Sequence, residues 1–402
     1  MNNEPKYFQV MAKPIGPICN LDCSYCFYLE KEKLYPGSSD FVMPPDVLEQ
    51  FIKQKIEGQD AAIISFVWQG GEPTLPGVDY FKEVVRLQKK YANGKNIENG
   101  FQTNGVLLDD KWCRFFAENN FLIGISIDGP AALHDKYRVL KGGQPTFKKV
   151  MRGIEFLKKY QVEFNTLTVV NKENSYHPVE IYNFLKEAGS GYMQFIPVVE
   201  RIAPSEELQL VSPAYHGDAC VAGWSVEPLQ YGNFLCELFD EWVKEDVGRY
   251  FIQIFDVALE SQLGIRQSLC VFKETCGKAL AIEHNGDVYS CDHYVYPENK
   301  LGNIMESPLE SLVFSRQQVT FGMDKKNSLP RYCLDCEVRY ACNGECPKHR
   351  FIKTPDGEEG LNYLCAGYKK FFSHIEPYMK LMAAEFINKR PASNVMKAVN
   401  GL

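Results

Sequence analysis

The sequence predicts an α/β fold, a partial β/α barrel of about six units followed by a smaller cysteine-rich domain. Three observations carry this. Short apolar runs alternate with amphipathic helical stretches over the first two thirds of the chain, as in a parallel sheet covered by helices on both faces. Several of these runs end in a polar, turn-rich cluster, and in parallel β/α folds that edge is where ligands bind. Eight of the 14 cysteines are crowded between Cys270 and Cys365.

Taken in order, "YFQVMAKPIG" reads as a strand running into a loop with three cysteines. "AIISFVW" (62–68) is a strand ending in "GGEPT", with a helix near 78–92. "IENGFQTNG" and "FLIGISIDGP" repeat the plan, and "VEFNTLTVV" and "GYMQFIPVV" continue it. "IAPSEELQLVSPAYHGDACVAGWSVEP" is rich in loop formers, and "LQYGNFLCELFDEWVKEDV" has the periodicity of a long amphipathic helix. "IEHNGDVYS" predicts a hairpin, with Asn285-Gly286 suited to a two-residue turn. The change of style sets the barrel at 1–260, the cysteine-rich domain at 261–375 and a helical tail at 376–402.

A net charge of −7 argues against a protein that tracks nucleic-acid phosphates. The N-terminus has no apolar stretch like that of a signal peptide, and no run is long enough to span a bilayer. We expect a cytoplasmic protein that touches neither membrane nor nucleic acid. In that compartment thiols stay reduced, so the cysteines are not read as a disulfide framework. Cys113, Cys220 and Cys236 are scattered and read as small buried hydrophobes.

Cys19, Cys23 and Cys26 have the spacing C-x3-C-x2-C with no fourth cysteine nearby. Thiolates suit zinc or iron–sulfur. Structural zinc is normally closed by four protein ligands, whereas a cubane held by three cysteines leaves one iron open to an outside ligand. "CNLDCSYC" resembles the motif of the radical S-adenosylmethionine (SAM) enzymes. That resemblance implies a [4Fe-4S] cluster whose open iron is chelated by SAM. The reduced cluster cleaves SAM to a 5′-deoxyadenosyl radical, and the radical takes hydrogen from unactivated carbon. It also implies that Glu72 of "GGEP", with Gly70 and Gly71, holds the SAM amino group. Tyr28, Gln69 and Ser126 are expected to line the pocket, Arg138 to face the SAM carboxylate, and "QTNG" (Gln102, Thr103, Asn104) to shape its floor.

Eight thiolates can close two four-cysteine sites, of zinc or of iron–sulfur. Their pattern resembles the SPASM extension of radical SAM enzymes that modify peptides and proteins. The resemblance implies two auxiliary [4Fe-4S] clusters with interleaved ligands. Cys270, Cys276, Cys291 and Cys346 would hold one; Cys333, Cys336, Cys342 and Cys365 would hold the other. Three cubanes imply about twelve irons per chain.

"GISIDGP", "CDHYVYPENKLGNI", "ACNGECPKHR" and "LNYLCAGY", in this order, look like the anaerobic sulfatase-maturating enzymes, over roughly residues 8 to 375. This implies oxidation of a sulfatase cysteine or serine, in a Cys/Ser-x-Pro-x-Arg type motif, to Cα-formylglycine without oxygen. A low-potential electron donor is also implied. The radical takes a Cβ hydrogen, a base takes the thiol or hydroxyl proton, and an auxiliary cluster accepts the electron. Asp292 matches the family's proposed base, and burial would raise its pKa toward a useful range. His293 beside it is read as structural.

The nearest alternative is a SPASM maturase that cross-links or oxidises a ribosomal peptide. Such enzymes often carry an extra N-terminal recognition domain, for which about a dozen residues before the cysteine loop leave no expected room. A non-catalytic iron–sulfur carrier would need no open iron, and a tRNA modifier is disfavoured by the charge.

Overall fold

The computed structural model describes residues 6–38, 40–203 and 210–401. Six strands form in sequence order: β1 (Gln9–Ala12), β2 (Ile63–Trp68), β3 (Asn96–Thr103), β4 (Phe121–Ser126), β5 (Phe164–Val170) and β6 (Tyr192–Pro197). Each pairs parallel with the next. Helices return the chain between them: α1 (Pro45–Glu57), α2 (Val78–Tyr91), α3 (Asp110–Glu118), the short α4 (Ala131–His134) with α5 (Phe147–Lys159), α6 (Pro178–Glu187) and α7 (Pro228–Glu245). Local chemistry agrees with these limits. Proline opens α1, α6 and α7, where its missing N–H costs nothing. Asp109 caps α3 by accepting from the Trp112 amide at 2.9 Å.

The expectation that the strands are buried on both faces needs correction. Burial alternates along β2 and β3. Ile64, Phe66 and Trp68 point outward into the helices, while Ser65 and Val67 on the inner face are only partly buried. The outer layer is aromatic. Phe66 stacks on Trp68 at 5.8 Å, Phe51 meets both edge-on, and Phe81, Phe101, Trp112 and Phe116 continue the cluster. Each such ring contributes about 1.5–3 kcal/mol by burial. The stabilising core is thus on the helix side, and the polar concave side is left to the strand-end loops.

The sheet does not stop at the barrel. A two-residue strand pair, β7 (Arg201–Ile202) and β8 (Cys220–Val221), stands apart, and the expected loop formers at 204–209 lie outside the described residues. Strand β9 (Phe251–Ile252), followed by α8 (Gln253–Gln262), extends the β6 edge. On the other edge β10 (Ala279–Ile282) pairs parallel with β1, and antiparallel β11 (Asp287–Tyr289) and β12 (Lys300–Asn303) complete ten strands. The cysteine-rich region therefore begins by continuing the barrel's own sheet.

The β10–β11 turn differs from the two-residue expectation. Glu283 and Asp287 still pair, with the Glu283 amide on the Asp287 carbonyl at 2.9 Å, so the loop is His284-Asn285-Gly286. Gly286 takes the left-handed position, at φ +88°. A side chain–backbone bond from the Asp287 amide to Asn285 shapes the loop. Such three-residue turns close on a left-handed residue.

The tail helix starts at Cys365 and runs to Ile387. It crosses α7 where two glycines meet. A Cβ on Gly232 would lie 2.7 Å from the Gly367 Cα, and one on Gly367 would lie 2.1 Å from the Pro228 carbonyl oxygen. Among the described residues no helix is long and apolar enough to cross a membrane.

Candidate active site

Three strand-end segments are tied to the loop bearing Cys19, Cys23 and Cys26. The Gly71 amide donates to the Gly16 carbonyl at 2.8 Å and the Glu72 amide to Ile18 at 2.9 Å. A Cβ on Gly71 would sit 1.9 Å from the Ile18 oxygen, so only glycine permits this approach. From the other side, the Asp22 and Ser24 amides donate to the Val139 and Tyr137 carbonyls, which brings Arg138 to the loop. Third, Asn104 donates its side-chain amide to Asn20 at 2.8 Å and lies 3.7 Å from the Cys19 sulfur. The backbone amide of Gln69 bonds the Ala12 carbonyl at 2.9 Å.

Glu72 is fully buried and is not the open acceptor expected. Its carboxylate accepts from the Thr74 amide at 3.0 Å, the Thr74 and Thr103 hydroxyls at 2.7 Å and the Asn104 amide at 2.8 Å. Burial nonetheless pushes its pKa up against these four donors. It pins the β2 and β3 ends together. Ser126 accepts from Gln102 at 3.0 Å, which joins the β3 and β4 ends.

Arg138 is buried beside the loop, and its Nη1 donates to the Tyr25 hydroxyl at 2.8 Å. The Tyr25 hydroxyl donates in turn to Asp128 at 2.5 Å, and Asp128 is itself fully buried. The Arg138 Nε has no partner, which leaves a buried donor suited to a ligand carboxylate. Burial pushes the Cys19 and Cys23 thiols up to about 12 and Cys26 to about 11. Thiols so placed ionise only against a strong local positive charge such as iron.

Tyr28, expected in the SAM pocket, packs with Ala281, Tyr289 and Val295, and its hydroxyl donates to the buried Glu283. This joins the cysteine loop to the β10–β11 hairpin. Lys13, directly after β1, pairs with Asp292 and stands 4.4 Å over the Tyr28 ring. Asp292 thus sits between Cys291 and the β1 end. Its pKa is lowered, not raised. Burial pushes it up, but Lys13, then His293 and Lys348, outweigh that. His293 packs edge-on to Phe27 at 5.2 Å and is held neutral by burial, its pKa pushed down to about 3. Lys348, 2.5 Å from Glu200, lies 5.0 Å over the same Phe27 ring.

The eight remaining thiols fall into two groups. Cys333, Cys336, Cys342 and Cys365 line one cavity with Tyr332 and Arg339. Cys270, Cys276 and Cys346 all act on the buried ammonium of Lys325, and Cys270 and Cys346 act on Cys291. Lys325 donates at 2.7 Å to the Cys270 and Val271 carbonyls. All 14 cysteines are free thiols. Among the described residues no three candidate ligands stand close enough for a single ion; Cys333, Cys336, Cys342 and Cys365 surround a space rather than a point. Soft sulfur donors around such spaces fit iron–sulfur clusters. Of the scattered cysteines, Cys113 and Cys236 are buried, but Cys220 is exposed on the β7–β8 ribbon, contrary to its expected burial.

Lys13, Asp128, Glu283 and Lys348 were not singled out by sequence reasoning. The one available signal was position. Lys13 and Asp128 follow strand ends, and Lys348 lies in the quoted "CPKHR" stretch.

Comparison with known proteins agrees with this geometry. The radical SAM superfamily model matches residues 14–185, and the SPASM iron-sulfur cluster-binding domain matches 270–337. The serine-type anaerobic sulfatase-maturating enzyme of Bacteroides thetaiotaomicron is 50% identical over 98% of this chain and 95% of its own. The cysteine-type enzyme of Clostridium perfringens is 35% identical over 92% and 96%. A solved structure, native anSMEcpe with bound AdoMet and Cp18Cys peptide, superposes with a TM-score of 0.83 at 34% identity, covering 95% of this chain and 100% of that one. Streptococcus suis SuiB bound to precursor peptide SuiA shares the fold alone, with a TM-score of 0.59 at 14% identity over 88% and 75% of the two chains. The chain belongs to the anaerobic sulfatase-maturating enzymes, radical SAM oxidoreductases with a SPASM domain.

Proposed function

We propose that this enzyme oxidises an active-site serine of a sulfatase polypeptide to Cα-formylglycine, with cysteine the less favoured target. Identity to a serine-type relative, 50% against 35% for a cysteine-type one, supports that order. The observation that carries the reaction is the placement of Asp292. It follows Cys291 directly and is tied by Lys13 to the end of the strand that launches the SAM-cluster loop.

When bound, SAM with its [4Fe-4S] cluster supplies the 5′-deoxyadenosyl radical, and the auxiliary clusters supply an electron acceptor. Cys19, Cys23 and Cys26 hold the SAM cluster. Cys270, Cys276, Cys291 and Cys346 hold one auxiliary cluster, and Cys333, Cys336, Cys342 and Cys365 the other. Arg138 would offer its Nε, unpartnered among the described residues, to the SAM carboxylate. Gly70, Gly71, Glu72, Gln69, Ser126 and the Gln102 segment frame the cofactor, and Tyr28 fixes the loop from behind.

The substrate loses a hydrogen atom from Cβ, its hydroxyl proton to Asp292 and one electron, which leaves the aldehyde. A cysteine loses the same set and gives a thioaldehyde that water hydrolyses. The lowered pKa keeps Asp292 ionised and able to accept the proton, though it makes the carboxylate a weaker base than one poised near neutral pH. The substrate segment is of the Cys/Ser-x-Pro-x-Arg type, and the electron source is a low-potential reducing partner. Fourteen free thiols suit the reducing cytoplasm.

The test is mass spectrometry of matched Ser and Cys sulfatase peptides, incubated anaerobically with reconstituted enzyme, SAM and a strong reductant. The expected result is aldehyde from both and faster conversion of the serine peptide. Formation of 5′-deoxyadenosine with both peptides unchanged would remove the sulfatase assignment and leave a maturase of another peptide.

A further inference from the structure

The two cysteine groups of the C-terminal domain are joined by a link of three residues. Asn343, Gly344 and Glu345 run from Cys342 of one group to Cys346 of the other. All three hold left-handed backbone, with φ of +48°, +70° and +50°. For residues other than glycine that conformation is strained, and it persists only where the surroundings over-determine it.

Arg350 supplies the determination. Its Nε donates to the Gly344 carbonyl at 2.9 Å, and its Nη2 to those of Asn343 and Glu345 at 3.1 and 3.0 Å. The carbonyl of every residue in the link is held by one guanidinium. The remaining nitrogen, Nη1, donates to the Lys325 carbonyl at 2.6 Å, and Lys325 grips the Cys270 and Val271 carbonyls. A side chain at 344 would meet Leu329 at 2.3 Å and the guanidinium at 2.9 Å, so the link packs closely against both. The Glu345 carboxylate is committed elsewhere, to His349 at 2.9 Å and Asn362 at 2.6 Å. Arg350 therefore carries a largely buried charge whose hydrogen bonds all go to backbone. The guanidinium lies against the link between Cys342 and Cys346 and, through Lys325, is tied to the Cys270 carbonyl, so it stands beside both cysteine groups.

We propose that Arg350 is a positioning residue for electron transfer between the two auxiliary sites. It locks the short link that sets their separation, and it places a fixed positive charge between them. A positive charge stabilises the reduced, more negative form of each cluster, so both potentials are held up. With the clusters bound, the arginine would bear on an electron passed from the site containing Cys291 to the site containing Cys342, a transfer that involves no proton or bond change. The inference rests on the auxiliary-cluster assignment above.

Redox titration of the full-length reconstituted enzyme, followed by EPR and with iron counted, tests it in wild type, R350Q and R350K. Two auxiliary signals in the wild type establish the assignment, and their absence would end it independently of any variant. In R350Q both auxiliary midpoints are expected to fall, while the SAM-cluster midpoint and substrate-free 5′-deoxyadenosine formation stay at wild-type values. Aldehyde formed per 5′-deoxyadenosine should drop severalfold. R350K, which keeps the charge, should restore the potentials. Selective loss of auxiliary iron in R350Q, with R350K retaining it, supports the same role. Unchanged auxiliary potentials and iron in R350Q, or equal effects in R350Q and R350K, overturn the proposal.

Discussion

At the residue scale the site is built from charges buried in pairs. Asp292 and Lys13 neutralise one another where neither is well solvated, and removal of one partner strands the other. Asp292→Asn is expected to leave 5′-deoxyadenosine formation intact while aldehyde formation falls by about 10²–10⁴-fold, the usual contribution of a positioned base. A quantitative assay of both products checks this, and undiminished aldehyde would remove Asp292 from the mechanism. A second buried charge is independent of the chemistry. Lys55 of α1 is fully buried, its ammonium 3.4 Å from Gln9 and the Val10 carbonyl and 5.3 Å over the Phe66 ring, and burial pushes its pKa down from 10.5 to about 7. The unfolded chain binds that proton more readily than the folded one. The cost of burying Lys55 is therefore full at and below about pH 7 and fades as pH rises toward 10.5. Lys55→Met is expected to gain on the order of a few kcal/mol at pH 7 and to lose the advantage by pH 10. Thermal melts across that range decide it, and a gain that does not shrink with pH would contradict the assignment. The cysteine clusters stood out in the sequence because metal-ligand spacing is a local signal, whereas Asp292 and Arg138 were named only through the family resemblance. Lys13 and Glu283 were not legible, since each is explained only by a partner more than two hundred residues away.

At the element scale, strands and helices followed their sequence signals closely, and the departures have physical causes. The inner faces of β2 and β3 are half-exposed because a concave site needs polar, accessible positions, so an apolar run with one open face reads like one with two buried faces. The Asn-Gly pair predicted a tight two-residue turn, yet the Glu283–Asp287 pairing adds one residue to the loop. The helix that begins at Cys365 could not be placed against α7 from periodicity alone, because the contact is made by glycines. Gly367→Ala would drive a methyl into the Pro228 carbonyl. It is expected to cost about 1–3 kcal/mol, the range for overpacking, and to loosen the end of the helix that carries Cys365. A lowered melting temperature together with reduced iron content is the expected outcome. A normal melt with full iron would show that the crossing relaxes freely.

At the scale of the whole molecule, the continuity of the sheet is what makes one site from two domains. Strand β10 pairs with β1, so Lys13 at the end of β1 and Asp292 beyond β11 are fixed by the same hydrogen-bond ladder. The change of style near residue 260 was legible as composition, but strand pairing across it leaves no local mark. The loop bearing Cys19, Cys23 and Cys26, which follows β1, and Asp292, which follows β11, are thereby held on one sheet, as the proposed reaction requires. Abstraction of the Cβ hydrogen and removal of the proton and electron can then occur on one bound side chain. The most direct measurement is isotopic. A sulfatase serine peptide carrying deuterium at Cβ would be turned over with SAM and a strong reductant, and the 5′-deoxyadenosine weighed by mass spectrometry. One deuterium in 5′-deoxyadenosine for each aldehyde formed is the predicted result. Aldehyde formed with unlabelled 5′-deoxyadenosine would contradict direct abstraction from Cβ and, with it, the geometry assigned to the site.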